Sequence, residues 1–384
     1  MNLLLKNKKI AIVGGGPGGL TLARLLQMNG ANVTVYERDQ SRNIRVQGAT
    51  LDLHDESGLK ALRAAGLMED FKANYRPGAD MMRVTDKHAT ILFDDAINDD
   101  EHLSRPEIDR GPLRDIMLNS LQPGTVVWDS QFVSLEQGNG IVELKFKNGT
   151  HATADIVIAA DGANSKIRPY ITPIKPFFAG ITAIEGVVYN SAEATPRVHE
   201  LLNGGKIFAL NDAKTLIVSS KGDGSLMFYP GFKTTENWVK DSGIDFGDKA
   251  QVLAWFKQEF AGWDNVWTEL FENASTPFIA RPQYCMPLDQ TWQALPNITM
   301  LGDAAHLMPP YAGEGVNMAM LDALELAECL LSEDYADVHS AITTYEKQMR
   351  TRASETAKMT LDQTDSMHSA NGLSNLLSMF SSFK

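Results

Sequence analysis

The sequence predicts an α/β fold in which a Rossmann-like nucleotide-binding portion is interleaved with an antiparallel β-sheet portion and closed by a long carboxyl-terminal helix. Three observations carry that expectation. KKIAIVGGGPGGLTLARLLQMNGANVTVYER reads as strand, glycine turn, helix and strand, with Gly14, Gly16 and Gly19 at the G-x-G-x-x-G spacing. Between Pro173 and Arg281 the texture changes to alternating segments, TAIEGVVY, KIFALN, TLIVSS and SLMFYPGF, separated by GG, ND and GDG turns. Downstream, NITMLGD restores the texture of a buried strand and leads into a glycine-rich helix start.

In chain order, Lys9 to Val13 is a short apolar run ending in glycines, as a buried parallel strand should be. Gly18 to Met28 places Leu20, Ala23 and Leu26 at helical spacing, and NGA closes that helix. Asn32 to Glu37 is a second, β-branched strand. SRNIRVQGATLDLHDESGLKALRAAGL follows as a basic, glycine-containing loop, a short strand and a helix ending at Gly66. A helix begins near Pro112, and DIVIAA is a buried strand running into DGANSKIR. Lys249 to Phe260 is a helix with Trp255, Phe256 and Phe260 on its apolar side. Val316 to Leu331 and Val338 to about Ala370 are long helices, and GLSNLLSMFSSFK is an amphipathic tail that docks at the end of the core. The expected division is a nucleotide-binding domain from 1–66, 99–176 and 270–320, a substrate domain from 67–98 and 177–269, and a helical segment over 321–384.

At 384 residues, two intimately packed lobes are expected, and 43% hydrophobic with 22% charged residues is an ordinary globular composition. The formal charge of -13 argues against nucleic acid, whose binding needs cations to release counterions, and against an anionic membrane surface. Cys285 and Cys329 show neither C-x-x-C spacing nor a histidine cluster, so a disulfide framework or zinc site is not expected. The opening MNLLLKNKK is broken by lysines, and no stretch reaches the ~18 apolar residues of a membrane span. A soluble, cytoplasmic protein, active as a monomer, is the expectation.

The glycines do not by themselves choose a cofactor, because nicotinamide and flavin dinucleotides share one pyrophosphate. Glu37, at the end of the second strand, can accept the hydroxyl hydrogens of an adenosine ribose and would repel a 2′-phosphate. The decisive stretch is LGDAAHLMPPYAGEGVNMAMLDALELA. Asp303 suits a hydroxyl-bearing chain, and the helix start at Gly313, Glu314, Gly315, Val316 and Asn317, after Pro310, suits a partial negative charge. A dinucleotide spanning both turns must bring a polyol to Asp303 and an electron-accepting ring to Gly315–Asn317, and FAD has both.

The chain here resembles the single-component FAD monooxygenases of the p-hydroxybenzoate hydroxylase superfamily, whose nucleotide-binding domain is of the GR2 type. GGGPGG with Glu37, DGANSKIR (Asp161, Gly162, Ser165, Arg168) and GDAAHLMPPYAGEGVN carry the resemblance, over about residues 8 to 332. Within that superfamily it is most similar to the Tet(X)-type tetracycline-inactivating monooxygenases, through VYERD, GATLDLH, the PEIDR...LR...LNSL pattern and the GDAAHLMPPYAGEGVN run. The resemblance implies that Arg38, Asp52, Arg110 and Asp161 are near FAD and that Arg45 lies at the flavin and nicotinamide approach. It places Glu185, Lys206 and Met227 where Tet(X)-type enzymes present glutamine, arginine and histidine to the tetracycline edge. Apart from the resemblance, Phe208, Met227 and Phe228 alternate along the expected sheet: each taken singly reads as ordinary core, and the sheet context makes them candidate pocket walls. Glu314 stands where glutamine is commoner, and is expected to point away from the ring or into solvent.

By that resemblance the activity is hydroxylation of a planar, electron-rich phenolic or enolic molecule, with tetracycline-like molecules among the candidates, through a C4a-hydroperoxyflavin. FAD is held tightly without a covalent bond, NADPH or NADH visits, and no side chain is assigned as catalytic. His306 is read as a structural histidine. Two other classes remain open: an FAD-dependent reductase or dehydrogenase, which would incorporate no oxygen, and a non-catalytic flavoprotein that sequesters a planar ligand. A flavin halogenase would need a W-x-W-x-I-P element, and the sequence has none.

Overall fold

The computed structural model describes residues 4–44, 48–95 and 105–381. Five parallel strands form one sheet in the order Ile298–Met300, Ile156–Ala159, Lys9–Val13, Asn32–Tyr36 and Val126–Val127. Its members come from four distant parts of the chain, which is the interleaving the sequence predicts. The helices Pro17–Met28, Arg110–Ser120 and Gly315–Leu331 contribute to the core around this sheet. Ile12, Val35, Val157, Ile158 and Met300 are all fully buried there. A strand covered on both faces has no polar side, hence the unbroken apolar runs KIAIV and IVIA.

The second sheet has seven strands in the order Ser275–Cys285, Phe177–Val188, Leu226–Lys233, Lys214–Ser220, Lys206–Asn211, Met82–Thr85 and Ile91–Asp94. All its pairings are antiparallel except Lys206–Asn211 with Met82–Thr85. One face carries Ile184, Val188, Ile207, Val218, Phe228 and Phe232 and packs on the helices Lys249–Glu259 and Thr268–Asn273. Aromatic rings dominate that layer; Phe256 stacks on Phe271 with centroids 4.1 Å apart. Gly186 is needed there, because a Cβ would meet the Phe228 ring at 2.3 Å.

Three departures from the sequence reading have physical causes. Ser275–Cys285, expected in the nucleotide-binding domain, pairs with Phe177–Val188 at the edge of the seven-stranded sheet, so the chain re-enters the first lobe only near Ile298. Phe228 points into the aromatic layer rather than a pocket, because successive strand residues face opposite sides. A third sheet, from Phe132–Gly138, Ile141–Phe146 and His151–Ala154, was not anticipated. Its signal was present in QGNGIVEL, where Asn139 and Gly140 both take positive φ in a tight hairpin turn.

The carboxyl-terminal third closes the molecule. Val338–Met367 is a 30-residue helix whose amino end is capped reciprocally by Asp337 and Ser340. The following helix, Gly372–Ser381, lays Leu373, Leu376, Leu377 and Phe380 against Val84, Phe93 and Leu210 of the large sheet. Among the described residues no helix is long and apolar enough to cross a membrane.

Candidate functional site

The first glycine turn follows the strand Lys9–Val13. Gly14 has φ +116° and lies so close to the neighbouring strand that a Cβ would sit 2.1 Å from the Ala160 carbonyl oxygen. A Cβ on Gly19 would sit 2.2 Å from the Gly14 carbonyl oxygen. Gly16 is different, with no atom within 4 Å of where its Cβ would be. Two glycines are therefore required by the protein's own packing, and the third leaves open space at the amino end of Pro17–Met28. That helix end has no side-chain cap and no acidic residue in its first turn. Uncapped N–H groups beside open space fit an anionic phosphate.

Glu37 is buried, and its carboxylate already holds backbone: Oε2 accepts from Gly15 N–H at 2.6 Å and Oε1 from Asp39 N–H at 2.9 Å. The sequence reading offers it to ribose hydroxyls or to solvent; in the structure these backbone bonds orient the carboxylate. Arg38 is exposed beside it, and Arg45 lies outside the described residues.

The second turn is braced by a buried ionic network that sequence reasoning missed. Asp322, fully buried, accepts from Gly302 N–H at 2.8 Å and pairs with His306 Nε2 and an Arg352 nitrogen, both at 2.5 Å. Arg352 also pairs with Glu325. Burial opposes charging His306, but the Asp322 carboxylate outweighs it and raises the imidazole pKa. For Asp322 burial is likewise outweighed, by His306 and Arg352, and its pKa is lowered. His306 is therefore a member of this bracing network. Two acids, Asp322 and Glu325, within the otherwise apolar MLDALELA are the available signal.

That network fixes the turn that carries Asp303. The Arg168 guanidinium donates to the backbone oxygens of Asp303 at 2.8 Å and Ala304 at 2.6 Å. The Asp303 carboxylate takes no hydrogen bond among the described residues, and burial raises its pKa despite the charges of His306, Arg110 and Arg168. A half-buried carboxylate in that condition fits a hydroxyl-bearing ligand chain. Asp161 Oδ2 accepts from Lys166 N–H at 2.7 Å, while Oδ1 is buried without a partner among the described residues. Asp161 is thus committed to its own turn, and Asp303 is the acid of the two whose carboxylate is left open to a ligand.

Gly315–Leu331 starts beside this turn, again without a side-chain cap. Gly313 has φ +72°, and a Cβ on it would lie 3.0 Å from both Asp52 carboxylate oxygens. The Asn317 side chain is fully used: Oδ1 accepts from His54 N–H at 2.9 Å, and Nδ2 donates to the Asp52 carbonyl at 2.9 Å. It clamps the helix start to the Asp52–Gly58 segment, and only its backbone N–H can serve a ligand. Glu314 is largely covered rather than solvated: it lies 3.6 Å from His54 Nδ1, and burial pushes its carboxyl pKa up. His54 Nε2 meets Asp52 at 3.1 Å. Burial opposes ionisation of Asp52, but the His54 bond and the charges of Lys206 and His54 prevail and lower its pKa. Val316 is half-buried in the helix start, and Pro310 is exposed at its approach.

The large sheet turns its other face toward the Gly48–Asp52 segment and toward Tyr311, just before the second turn. Register puts Glu185 opposite Tyr229, between the pairs Ala183 with Gly231 and Val187 with Met227. Tyr229 pairs with Ile217, and Ile217 with Phe208. The row Glu185, Tyr229, Ile217 and Phe208 is thus one strip across four strands. On one side, Gly48–Asp52 covers the next row: Ala49 N–H donates to the Tyr229 hydroxyl at 3.2 Å, and the Thr50 and Ser219 hydroxyls meet at 3.2 Å. Arg110 Nε donates to the Ala49 carbonyl at 2.9 Å, and burial lowers the Arg110 pKa. On the other side stand Tyr311 and His368 over Thr215 and Gly231. A Cβ on Gly231 would fall 2.6 Å from Thr215 Oγ1, 2.8 Å from the Tyr311 hydroxyl and 3.1 Å from His368 Nε2.

All four sequence-predicted substrate residues, Glu185, Lys206, Phe208 and Met227, share this face. Lys206 is nevertheless not available as expected, because its ammonium is paired with the buried carboxylate of Glu107. Burial raises the pKa of Glu107, with Lys206 acting against that rise. Tyr229, Arg281, Thr215, Tyr311 and His368 were not named from sequence. Nothing in their local sequence marks them; register and the return of the last long helix bring them together. Burial pushes the Tyr229 phenol up to about 12 and His368 down to about 4, so both are neutral near pH 7.

The chain matches the family described as FAD binding domain over residues 7–235 and 291–360. It is 28% identical to monooxygenase penA of Penicillium thymicola, covering 95% of this chain and 96% of that protein. It is 27% identical to the 3-amino-4-hydroxybenzoate 2-monooxygenase PtmB3 of Streptomyces platensis, covering 95% and 89%. Among solved structures, the tetracycline destructase Tet(51) superposes with a TM-score of 0.72 at 18% identity, over 96% of this chain and 95% of that one, a likeness of fold.

Proposed function

The chain belongs to the FAD binding domain family and is an FAD-dependent monooxygenase, and from that premise we propose its co-substrate, its cofactor contacts and the kind of molecule it oxidises. The observation that carries the cofactor assignment is the pair of uncapped helix ends, at Pro17 and Gly315, with the unpartnered Asp303 carboxylate between them. When bound, FAD supplies the redox centre that accepts hydride and activates dioxygen. The chain's own work is to hold and shield. The Gly16 turn receives the pyrophosphate, Glu37 the ribose, and Asp303 the polyol. The amino end of Gly315–Leu331 favours negative charge on the ring it faces, which makes reduction easier. The discontinuous lobe around the parallel sheet does this binding, and the seven-stranded sheet provides the substrate wall.

NADPH is the proposed reductant, docking transiently near Arg45, and the substrate is a planar electron-rich aromatic or enol lying on the Tyr229, Ile217 and Phe208 strip. Substrate oxidation there depends on position and exclusion of water. We place the enzyme in the cytoplasm as a monomer, in keeping with two buried free cysteines. The test is turnover of the FAD-loaded protein with NADPH under ¹⁸O2, on phenols, hydroxylated heteroaromatics and tetracyclines. Ligand-dependent NADPH oxidation should accompany a product heavier by one labelled oxygen. NADPH oxidation without incorporation would make the protein a reductase, and ligand binding without either would make it a carrier.

A further inference from the structure

Resting on that reading of the strip as the wall of a substrate chamber, we propose that Glu185 selects substrates that are uncharged and donate a hydrogen bond, and that the chamber discriminates against aromatic carboxylates. Glu185 lies at the polar end of the strip, opposite Tyr229. Both Arg281 nitrogens, Nε at 3.2 Å and one terminal nitrogen at 3.1 Å, address the same oxygen, Oε2. Oε1 therefore remains an acceptor with no partner among the described residues. The side chain is largely covered, at 16% exposure, so a ligand donor reaching Oε1 would meet little competing water.

The charges around the strip point the same way. In the three rows that flank Tyr229, the cations on this face are Lys206 and Arg281. Each is already matched by a carboxylate, Glu107 and Glu185 respectively. Arg110 lies behind the Gly48–Asp52 segment, bonded to the Ala49 carbonyl and near Asp303. Lys233, one pair beyond Gly231, is exposed. The polar groups left on the chamber side are neutral, Tyr229, Tyr311, Thr215 and His368. At the far end the strip runs into Phe208, Ile217, Met367 and Leu373. A carboxylate placed on this strip would lose its water, meet Glu185 at one end and hydrocarbon at the other, and find no unpaired cation among the described residues of those three rows. A phenol, amide or ring N–H placed on it would donate to Glu185 and bury its ring on Ile217 and Phe208.

The test uses matched probes that differ only in charge: 3-amino-4-hydroxybenzoate against 3-amino-4-hydroxybenzamide, and 4-hydroxybenzoate against 4-hydroxybenzamide. Binding to the FAD-loaded protein is read from perturbation of the flavin absorbance, without NADPH, so failure of the turnover assay would not decide it. Each amide is expected to bind at least roughly tenfold tighter than its acid, and O-methylation of the ring hydroxyl to weaken it. In Glu185→Gln the acid–amide ratio should shrink, and in Glu185→Lys it should reverse, with flavin content and melting temperature confirming a folded protein. Equal or tighter binding of the acids, an unchanged ratio in Glu185→Gln, or no binding of either amide at millimolar concentration would overturn the proposal.

Discussion

The two sheets build their parts of the site by opposite means. Around the parallel sheet the binding surface is largely backbone: glycine turns, two uncapped helix ends, and acids such as Glu37 that are themselves held by backbone N–H groups. On the seven-stranded sheet it is side chains, Glu185, Tyr229, Ile217 and Phe208, set in a row by register. A backbone site tolerates little change, because Gly14 and Gly19 are locked by contacts below 2.5 Å to any added Cβ. A side-chain site on a sheet can be rewritten one residue at a time while the ladder of hydrogen bonds stays. The first region suits a shared cofactor and the second a varying substrate.

Substitutions can break that contrast, and the largest effect belongs to the backbone site. Gly14→Ala, with a positive φ and a Cβ 2.1 Å from the Ala160 carbonyl, should cost more than about 4 kcal/mol and leave little folded protein, checked by chemical denaturation of the FAD-free chain. Asp322→Asn removes the charge that His306 and Arg352 share, and should cost about 3 to 4 kcal/mol in the same assay. A melt unchanged by either substitution would show that the turns are not held by the contacts described here.

His368 supplies a test on the substrate side. Its folded-state pKa, about 4, lies below its ordinary value of 6.5, so the unfolded chain takes up the proton first as pH falls. Its contribution to stability is complete above about pH 6.5 and lost toward pH 4, by up to about 3 kcal/mol. His368→Gln should flatten that part of the stability–pH curve relative to the parent, measured by denaturant titration across the window. An unchanged slope would remove His368 from the account.

Gly16→Ala isolates cofactor from fold. Gly16 has φ -80° and open space at its Cβ, so the FAD-free protein should change by less than about 0.5 kcal/mol. FAD affinity, read by retained absorbance after dialysis, should fall roughly tenfold, because the methyl group enters the space left for phosphate. Smallest of all is the stability effect of Glu185→Gln. Arg281 is half exposed, so losing that ion pair should cost below about 1 kcal/mol, while ligand selectivity changes.

The cofactor lobe was legible for a physical reason. Strand, glycine turn and helix are contiguous, so the spacing of Gly14, Gly16 and Gly19 records local geometry directly. Even there, the Asp322, His306 and Arg352 network was hidden, because its members lie on elements that meet only in the folded state. The substrate wall was half legible. Similarity pointed to Glu185, Lys206 and Met227, but not to the Glu107 carboxylate that claims Lys206 from 99 residues away.

By itself the sequence determined the fold class, the interleaving of two lobes and the dinucleotide turn, because these follow from hydrophobic periodicity and from backbone conformations that only glycine relieves. Only the tertiary structure decided which charges are already matched, which acids are left without partners, and which strand face looks inward. Those properties depend on register and burial, and a shift of one residue along a strand would send Glu185 and Tyr229 into the aromatic layer and bring Phe228 to the chamber.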